Sequence, residues 1–470
     1  MSSLKFGTSG LRGLAVDLAG DAARRYTSAF VKYLLQDSAP VTALYLGRDL
    51  RASSAAIAAD CAAAAAGMGL RVVDCGELPA PALAAYAMAA GAPSIMVTGS
   101  HIPADRNGLK FFRASGEISK ADEAGILANL DEGIPGDDAV QAVDESAQAL
   151  SAYLGRYRGM LAADALKGWR IGVYEHSSVG RQALAAVFAG YGAQIVPLGR
   201  VPGFVAVDTE AFGDAVFAPL TGWIKEHKLD AIISTDGDAD RPLLMDGQGQ
   251  FVRGDVLGLL AAQFFGADTV VTPVTSNTAI EATGYFASVV RTRVGSPFVI
   301  AGMQVAIADG ARCVLGFEAN GGTLLGTALS LDGAHVPALM TRDAILPLIG
   351  VFGRAAAQGS TIADLVAALP LRVALSDQLE NFAAEDSRAL LGRLSTPAGA
   401  AAHFAARGSI VRTAAIDGLQ AFLEDGTMIH YRASGNAPEL RCYVEADSAA
   451  QAEDALRWGL TAAKLAATPG

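Results

Sequence analysis

The sequence predicts an α/β protein of four domains, three related α/β units followed by a C-terminal α+β domain. Three observations carry this. The chain has 470 residues, and at roughly 150 residues per domain that length suggests three or four domains. Strand-like apolar runs alternate with stretches of helical spacing in three rounds, and each round ends a strand in a polar, glycine-containing loop. Beyond about Pro370 the texture changes to short alternating runs of the antiparallel kind, closed by one long helix.

In the first round, Ala22 to Leu35 has helical spacing and Val41 to Gly47 reads as a strand. Ser53 or Ser54 is the expected N-cap of the Ala-rich helix that runs to Gly67. Leu70 to Cys75 reads as a strand, Pro81 to Ala90 as a helix, and Pro93 to Val97 as a short buried strand. That alternation predicts a mostly parallel sheet covered by helices, with functional loops at the carboxyl ends of the strands. A polar, acidic passage from Asp131 to Ser146 reads as a linker or an exposed helix start. The second round gives strands at Trp169 to Tyr174, Gln194 to Leu198 and Leu229 to Ile233, with a helix at Gly180 to Tyr191. The third gives helices at Gly254 to Phe265, Ala279 to Tyr285 and Phe298 to Asp309. Its strands are Asp268 to Thr272, Val289 to Val294 and Cys313 to Gly316. The last domain has strands at Ser409 to Thr413, Leu419 to Leu423, Thr427 to Tyr431 and Leu440 to Glu445, then a helix from about Ala449 to Ala466.

Composition narrows the function. A net charge of −12 argues against nucleic acid as a main partner. No apolar stretch reaches the ~18 large residues of a membrane span, and the N-terminus lacks an apolar core of the signal-peptide type. Cys61, Cys75, Cys313 and Cys442 show no CxxC spacing and suggest reduced thiols in a cytoplasm.

The chemistry lies in the loops. VTGSHIPADRNGLKFF, Val97 to Phe112, delivers Ser100 and His101 into a loop that Pro103 and an Asn107-Gly108 turn are expected to hold tight, with Lys110 following. A hydroxyl, an imidazole and an amine on one constrained loop suggest group transfer. Asp236, Asp238 and Asp240 alternate across Gly and Ala, which points three carboxylates to one side of an extended loop and suits a hard divalent cation. An EF-hand is excluded, because its sixth and twelfth positions hold Arg241 and Gly247 instead of Gly and Glu. Phe6 to Gly13 is a Gly-rich turn with two hydroxyls and Arg12, able to approach an anion. Glu318 and Asn320 among glycines suit bidentate contacts to vicinal sugar hydroxyls. Arg432, Ser434, Gly435 and Asn436 can wrap one phosphate. His176 reads as structural.

Five segments in this order, FGTSGLRG, TGSHIPADRNGLK, DGDADR, GFEANGG and RASGNAPELRCYVE, resemble the α-D-phosphohexomutase family, whose members include phosphomannomutases, phosphoglucomutases and phosphoglucosamine mutases. The resemblance implies four domains with mixed sheets, heart-shaped around a central cleft, divided at 1–146, 147–250, 251–370 and 371–470. It implies a phosphoserine at Ser100 that exchanges its phosphoryl group with a hexose monophosphate through a hexose 1,6-bisphosphate. Mg2+ would sit on Asp236, Asp238, Asp240 and the Ser100 phosphate. Lys110 and His101 match positions of acid/base work, and Arg12 and Arg241 match cations near the transferring phosphate. Ser9, Glu318, Asn320, Arg432, Ser434, Gly435 and Asn436 match substrate-binding positions. The sequence departs from the usual pattern at Ile102, and in the sugar loop, where Asn320 and Gly322 stand in place of Ser and His. In the phosphate loop Asn436 and Ala437 replace Thr and Glu.

The implied reaction interconverts mannose 1-phosphate and mannose 6-phosphate in the cytoplasm, with glucose phosphates or dual specificity as the alternative. A metal-dependent sugar phosphatase would show net hydrolysis. A silent sugar-phosphate-binding protein has no use for three metal aspartates.

Overall fold

A computed structural model describes residues 3–7, 10–36, 40–130, 140–213, 215–331, 334–434 and 438–467. The chain packs into two compact units, one of Met1–Val271 with Gly295–Ala368, the other of Thr272–Val294 with Leu369–Gly470.

The first unit holds three mixed sheets. In the first, Ser94–Val97, Ala43–Arg48, Arg71–Glu77 and Val143–Asp144 run parallel. Arg106–Arg113, Gly10–Leu14 and Lys5–Gly7 then extend it antiparallel. Phe30, Ile57, Ile95 and Phe111 are among the side chains that fill its core. In the second, Gln194–Leu198, Arg170–Tyr174 and Ala231–Thr235 are parallel, and Pro242–Asp246 and Phe251–Val252 return antiparallel. In the third, Thr269–Pro273 and Val314–Phe317 are parallel, followed antiparallel by Thr323–Leu325 and Leu339–Asp343. The expectation of a mostly parallel first sheet is therefore corrected to a mixed one, as the resemblance implied.

The three sheets share one device. Each functional loop joins the last parallel strand to an antiparallel return strand: Ser94–Val97 to Arg106–Arg113, Ala231–Thr235 to Pro242–Asp246, and Val314–Phe317 to Thr323–Leu325. A loop closed at both ends by one sheet has little freedom, which suits a site that must hold charge in fixed places. Asn107 and Gly108 consequently do not form a turn. They lie within Arg106–Arg113, and the Asn107 amide donates to Ser53 Oγ (2.8 Å) and Ser54 Oγ (3.0 Å). Ser53 occupies the N-cap of helix Ser54–Gly67 without a side-chain capping bond.

The second unit is an antiparallel sheet in the order Val373–Leu379, Leu440–Ala446, Met428–Ala433, Leu419–Leu423 and Ile410–Ala414. Helices Ala384–Leu394, Pro397–Phe404 and Ala449–Ala467 contribute to its core with Leu390, Phe404 and Ala455. Residues 272–294 dock on this sheet. Thr278 donates to Glu445 through its N–H (3.1 Å) and its hydroxyl (2.5 Å), and Gln420 donates to the carbonyl of Val274 (3.0 Å). The expected helix Ala279 to Tyr285 is only the turn Ala279–Ala282. No helix among the described residues is long and apolar enough to cross a membrane.

Candidate active site

The serine loop is anchored from behind by a buried ion pair. Arg51 and Asp49 have fully buried side chains, with Nε 3.1 Å from Oδ2. The Arg51 guanidinium donates to four loop carbonyls: Ser100 (3.0 Å), Ile102 (2.6 Å), Pro103 (2.6 Å) and Arg106 (2.9 Å). Asp49 accepts from Thr98 Oγ1 (2.8 Å), and Thr98 Oγ1 in turn accepts from the Ser100 N–H (2.7 Å). The network thus closes on Ser100 from both of its backbone groups. It holds Ser100 at φ +55°, a left-handed conformation that a serine adopts only when its surroundings over-determine it. The face of Phe204 covers the guanidinium at 3.9 Å.

Burial raises the Asp49 carboxyl and lowers the Arg51 guanidinium, and each charge offsets the other's shift. Removing one partner leaves the other charged and unpaired in the interior. Arg51→Ala is therefore expected to destabilise the first unit by about 3–5 kcal/mol, read as a lower urea midpoint. Arg51→Lys should recover only part of this, because an ammonium cannot span four carbonyls.

In front of the loop, Ser100 Oγ donates to Asp236 Oδ2 at 2.6 Å and lies 3.2 Å from His101 Nδ1. The metal-type loop meets the serine loop at Gly237. A Cβ there would lie 2.9 Å from the Ser100 carbonyl oxygen and 2.9 Å from the Phe204 ring, so only glycine permits the approach. Asp236 Oδ1 accepts the N–H groups of Asp240 and Arg241, each at 3.2 Å, and shapes its own loop. Lys110 sits on Arg106–Arg113 rather than on a loop, and its Nζ is 2.5 Å from both Asp238 Oδ2 and Asp240 Oδ2.

The donor set fits a hard cation. One carboxylate oxygen from each of Asp236, Asp238 and Asp240 lies within 4.8 Å of the others, all three residues being buried. Asp238 Oδ1 and Asp240 Oδ1 are buried with no hydrogen-bond partner among the described residues. Such orphaned acceptors are costly unless a cation meets them. Donors lie in the same region: among the described residues Arg12 Nη2 and Arg241 Nε are buried without a hydrogen-bond partner, Arg241 Nε standing 3.8 Å from Asp240 Oδ1, beyond hydrogen-bond reach. Burial, then Arg241 and Arg342, lowers Arg12 to about 10. Charge lies close on every side. Arg241, then burial and Arg12, drives His101 far below its usual range, so its imidazole is neutral. Burial, then Asp238 and Asp240, raises Asp236. Burial alone would raise Asp240 as well, but Arg342, Lys110 and Arg241 together hold it below the usual carboxylate range. Unfilled donors beside unfilled acceptors suit a phosphate together with a divalent ion.

Glu318 joins this cluster through Arg342, whose guanidinium reaches both Glu318 and Asp240. Asn320 Oδ1 accepts from the Gly322 N–H (2.9 Å), closing its own turn. In the second unit, Arg432 Nε donates to Asp417 Oδ2 at 2.6 Å, and the Ser434 N–H donates to the Glu439 carbonyl at 2.9 Å. Ser9, Gly435 and Asn436 lie outside the described residues. His176 is structural as expected, buried with Nε2 2.8 Å from the Thr235 carbonyl oxygen.

The sequence reading missed Arg51, Arg342 and Phe204. The available signal for Arg342 was a lone arginine in an otherwise strand-like run, LMTRDAIL. A buried arginine needs a fixed partner.

Residues 3–135 match the family described as phosphoglucomutase/phosphomannomutase, alpha/beta/alpha domain I. Residues 253–373 match its alpha/beta/alpha domain III, and residues 371–456 its C-terminal domain. The chain is 48% identical to a phosphomannomutase of Sinorhizobium fredii, over 97% of this chain and 98% of that one. It is 41% identical to a phosphomannomutase of Salmonella muenchen, over 95% and 93%. Among solved structures it is similar to one described as a putative phosphomannomutase of Thermus thermophilus, with a TM-score of 0.78, 22% identity and coverage of 99% and 100%.

Proposed function

Since the chain belongs to the phosphoglucomutase/phosphomannomutase family, and so is an isomerase of the phosphohexomutase type, we propose that it interconverts mannose 1-phosphate and mannose 6-phosphate. The observation that carries the reading is the placement of Ser100. Its Oγ is 2.6 Å from Asp236, within a triad of buried carboxylates and beside the orphaned donors of Arg12 and Arg241. The mannose assignment is supported by the names of the relatives at 48% and 41% identity.

In the cycle, phospho-Ser100 gives its phosphoryl group to the free hydroxyl of a hexose monophosphate. The P–O bond to Ser100 Oγ breaks as the bond to the sugar oxygen forms, and the hydroxyl proton passes to a base of the site. Ser100 Oγ takes up a proton as it leaves. The hexose 1,6-bisphosphate then turns over and returns its other phosphoryl group to Ser100 Oγ. The P–O bond to the sugar breaks as the bond to Oγ forms, the serine hydroxyl giving up its proton and the freed sugar oxygen taking one. Lys110, reaching Asp238 and Asp240 at 2.5 Å, and His101, 3.2 Å from Ser100 Oγ, are the groups we assign to proton movement. Arg12 and Arg241 stabilise the transferring phosphoryl oxygens. Asp236, Asp238 and Asp240 would hold Mg2+, which when bound offsets the charge of the phosphoryl group in flight. Glu318 and Asn320 read sugar hydroxyls. Arg432 and Ser434, with Ser9, Gly435 and Asn436 from the sequence motifs, are assigned to substrate phosphate and its orientation. The four cysteines are free thiols, which supports a cytoplasmic setting.

The test is covalent. After incubation with mannose 1,6-bisphosphate and Mg2+, peptide mass spectrometry should find phosphate on Ser100 and on no other serine. Phosphate elsewhere, or none, contradicts the reading. Comparing kcat/KM for mannose 1-phosphate and glucose 1-phosphate then decides the sugar, with mannose expected to be preferred.

A further inference from the structure

Arg342 lies on Leu339–Asp343 and is buried, with 2% of its surface exposed. Its Nε and Nη2 donate to Asp240 Oδ2 at 3.1 and 2.8 Å, and its Nη1 donates to Glu318 Oε2 at 3.1 Å. One planar fork therefore fixes two carboxylates of different duty, one in the triad and one in the sugar loop. The fork has room only because residue 322 lacks a side chain. A Cβ on Gly322 would lie 2.5, 2.8 and 3.1 Å from Cδ, Cγ and Cβ of Arg342. Those atoms are the stem of the arginine, close to its backbone, and cannot swing aside as a free tip could. Arg342 and any side chain at 322 exclude one another in this packing, which gives a physical reason for the glycine in GFEANGG.

We propose that Arg342 is a positioning residue for hexose recognition. It aims the Glu318 carboxylate at the sugar hydroxyls and ties that aim to the place of Asp240. The inference rests on the reading of Glu318 as a sugar ligand. A carboxylate free to rotate would recognise hydroxyls less tightly, because the cost of ordering it would fall on binding.

The test is a double-mutant cycle on sugar-phosphate affinity, measured without turnover. Calorimetry with mannose 1-phosphate is run on Ser100→Ala protein carrying Glu318→Gln, Arg342→Gln or both. Each single change is expected to weaken binding by about 10- to 100-fold, the range for a partner that orients a ligand-binding group. If Arg342 acts through Glu318, the double variant should bind within about threefold of the weaker single variant. Arg342→Lys should recover part of the affinity, since it keeps the charge and loses the fork. Gly322→Ala, which disturbs Arg342 without removing it, should weaken binding in the same direction by less. Losses that multiply in the double variant, or full affinity in Arg342→Gln or in Gly322→Ala, overturn the assignment. In the otherwise unchanged Ser100 enzyme, Arg342→Gln should act more on KM than on kcat. A purely structural role would lower kcat and raise KM together, in step with the fall in melting temperature. Wild-type protein that binds mannose 1-phosphate but does not isomerise it overturns the mutase reading alone. Wild-type protein that does not bind it overturns both.

Discussion

Ser100→Ala is expected to lower isomerisation by at least about 10⁴-fold, as loss of a covalent nucleophile does in other enzymes, while the fold stays intact. The size of the effect follows from the state of the neighbouring hydroxyl among the described residues. Thr98, the nearest hydroxyl along the loop, is committed, donating to Asp49 at 2.8 Å and accepting from the Ser100 N–H at 2.7 Å. The stability cost is small for a separate reason. The left-handed backbone of residue 100 is held by Arg51 and Thr98 through main-chain atoms, and alanine keeps both. The substitution loses the contacts of the hydroxyl with Asp236 and His101, the first of the order of 1.5–3 kcal/mol for a bond to a charged group. A coupled assay for the 6-phosphate, run beside a melting curve, checks both halves. Activity within 100-fold of wild type would remove the covalent route.

Metal removal is expected to have the second largest effect. Mg2+ should raise the melting temperature, because a ligand of the native state stabilises it by RT ln(1 + [L]/Kd), about 2.7 kcal/mol at 100 times Kd. Chelation should abolish turnover reversibly, and Asp238→Asn should remove most of the thermal shift. The same substitution should lower kcat by about 10³-fold, in line with the several kcal/mol a metal supplies to a phosphoryl transition state. Asp238 is the informative choice. Its Oδ2 meets Lys110 at 2.5 Å while its Oδ1 is buried without a hydrogen-bond partner among the described residues. Its conversion to an amide therefore removes a cation-facing oxygen and leaves the backbone of the loop to Asp236, which accepts the N–H groups of Asp240 and Arg241. An undiminished thermal shift in Asp238→Asn would place the ion elsewhere.

Much of this was legible because the site stands where strands stop. The serine, aspartate and sugar loops each interrupt an apolar run with glycine and charge, and such a break is visible without a structure. The return strands were not legible. Arg106–Arg113 begins with residues that favour turns, Asn107 and Gly108, and only its partner strands and the anchoring of Asn107 on Ser53 and Ser54 keep it extended. Tertiary pairing overrode local preference there. Arg51 and Arg342 were missed for a related reason. An arginine in a sequence reads as surface, and its value as a brace depends on carbonyls and carboxylates up to 102 positions away. His176 shows the opposite case, an imidazole beside polar residues that turned out to hold a strand carbonyl at 2.8 Å.

The most direct test of the central claim is a phosphorus NMR time course. Purified protein is given Mg2+, mannose 1-phosphate and a trace of mannose 1,6-bisphosphate, with Ser100→Ala protein in a parallel tube. The account predicts that the 1-phosphate signal is replaced by that of the 6-phosphate, with the sum of sugar phosphates constant and no change in the Ser100→Ala tube. Growth of inorganic phosphate in place of the 6-phosphate, or equal conversion in both tubes, would contradict it.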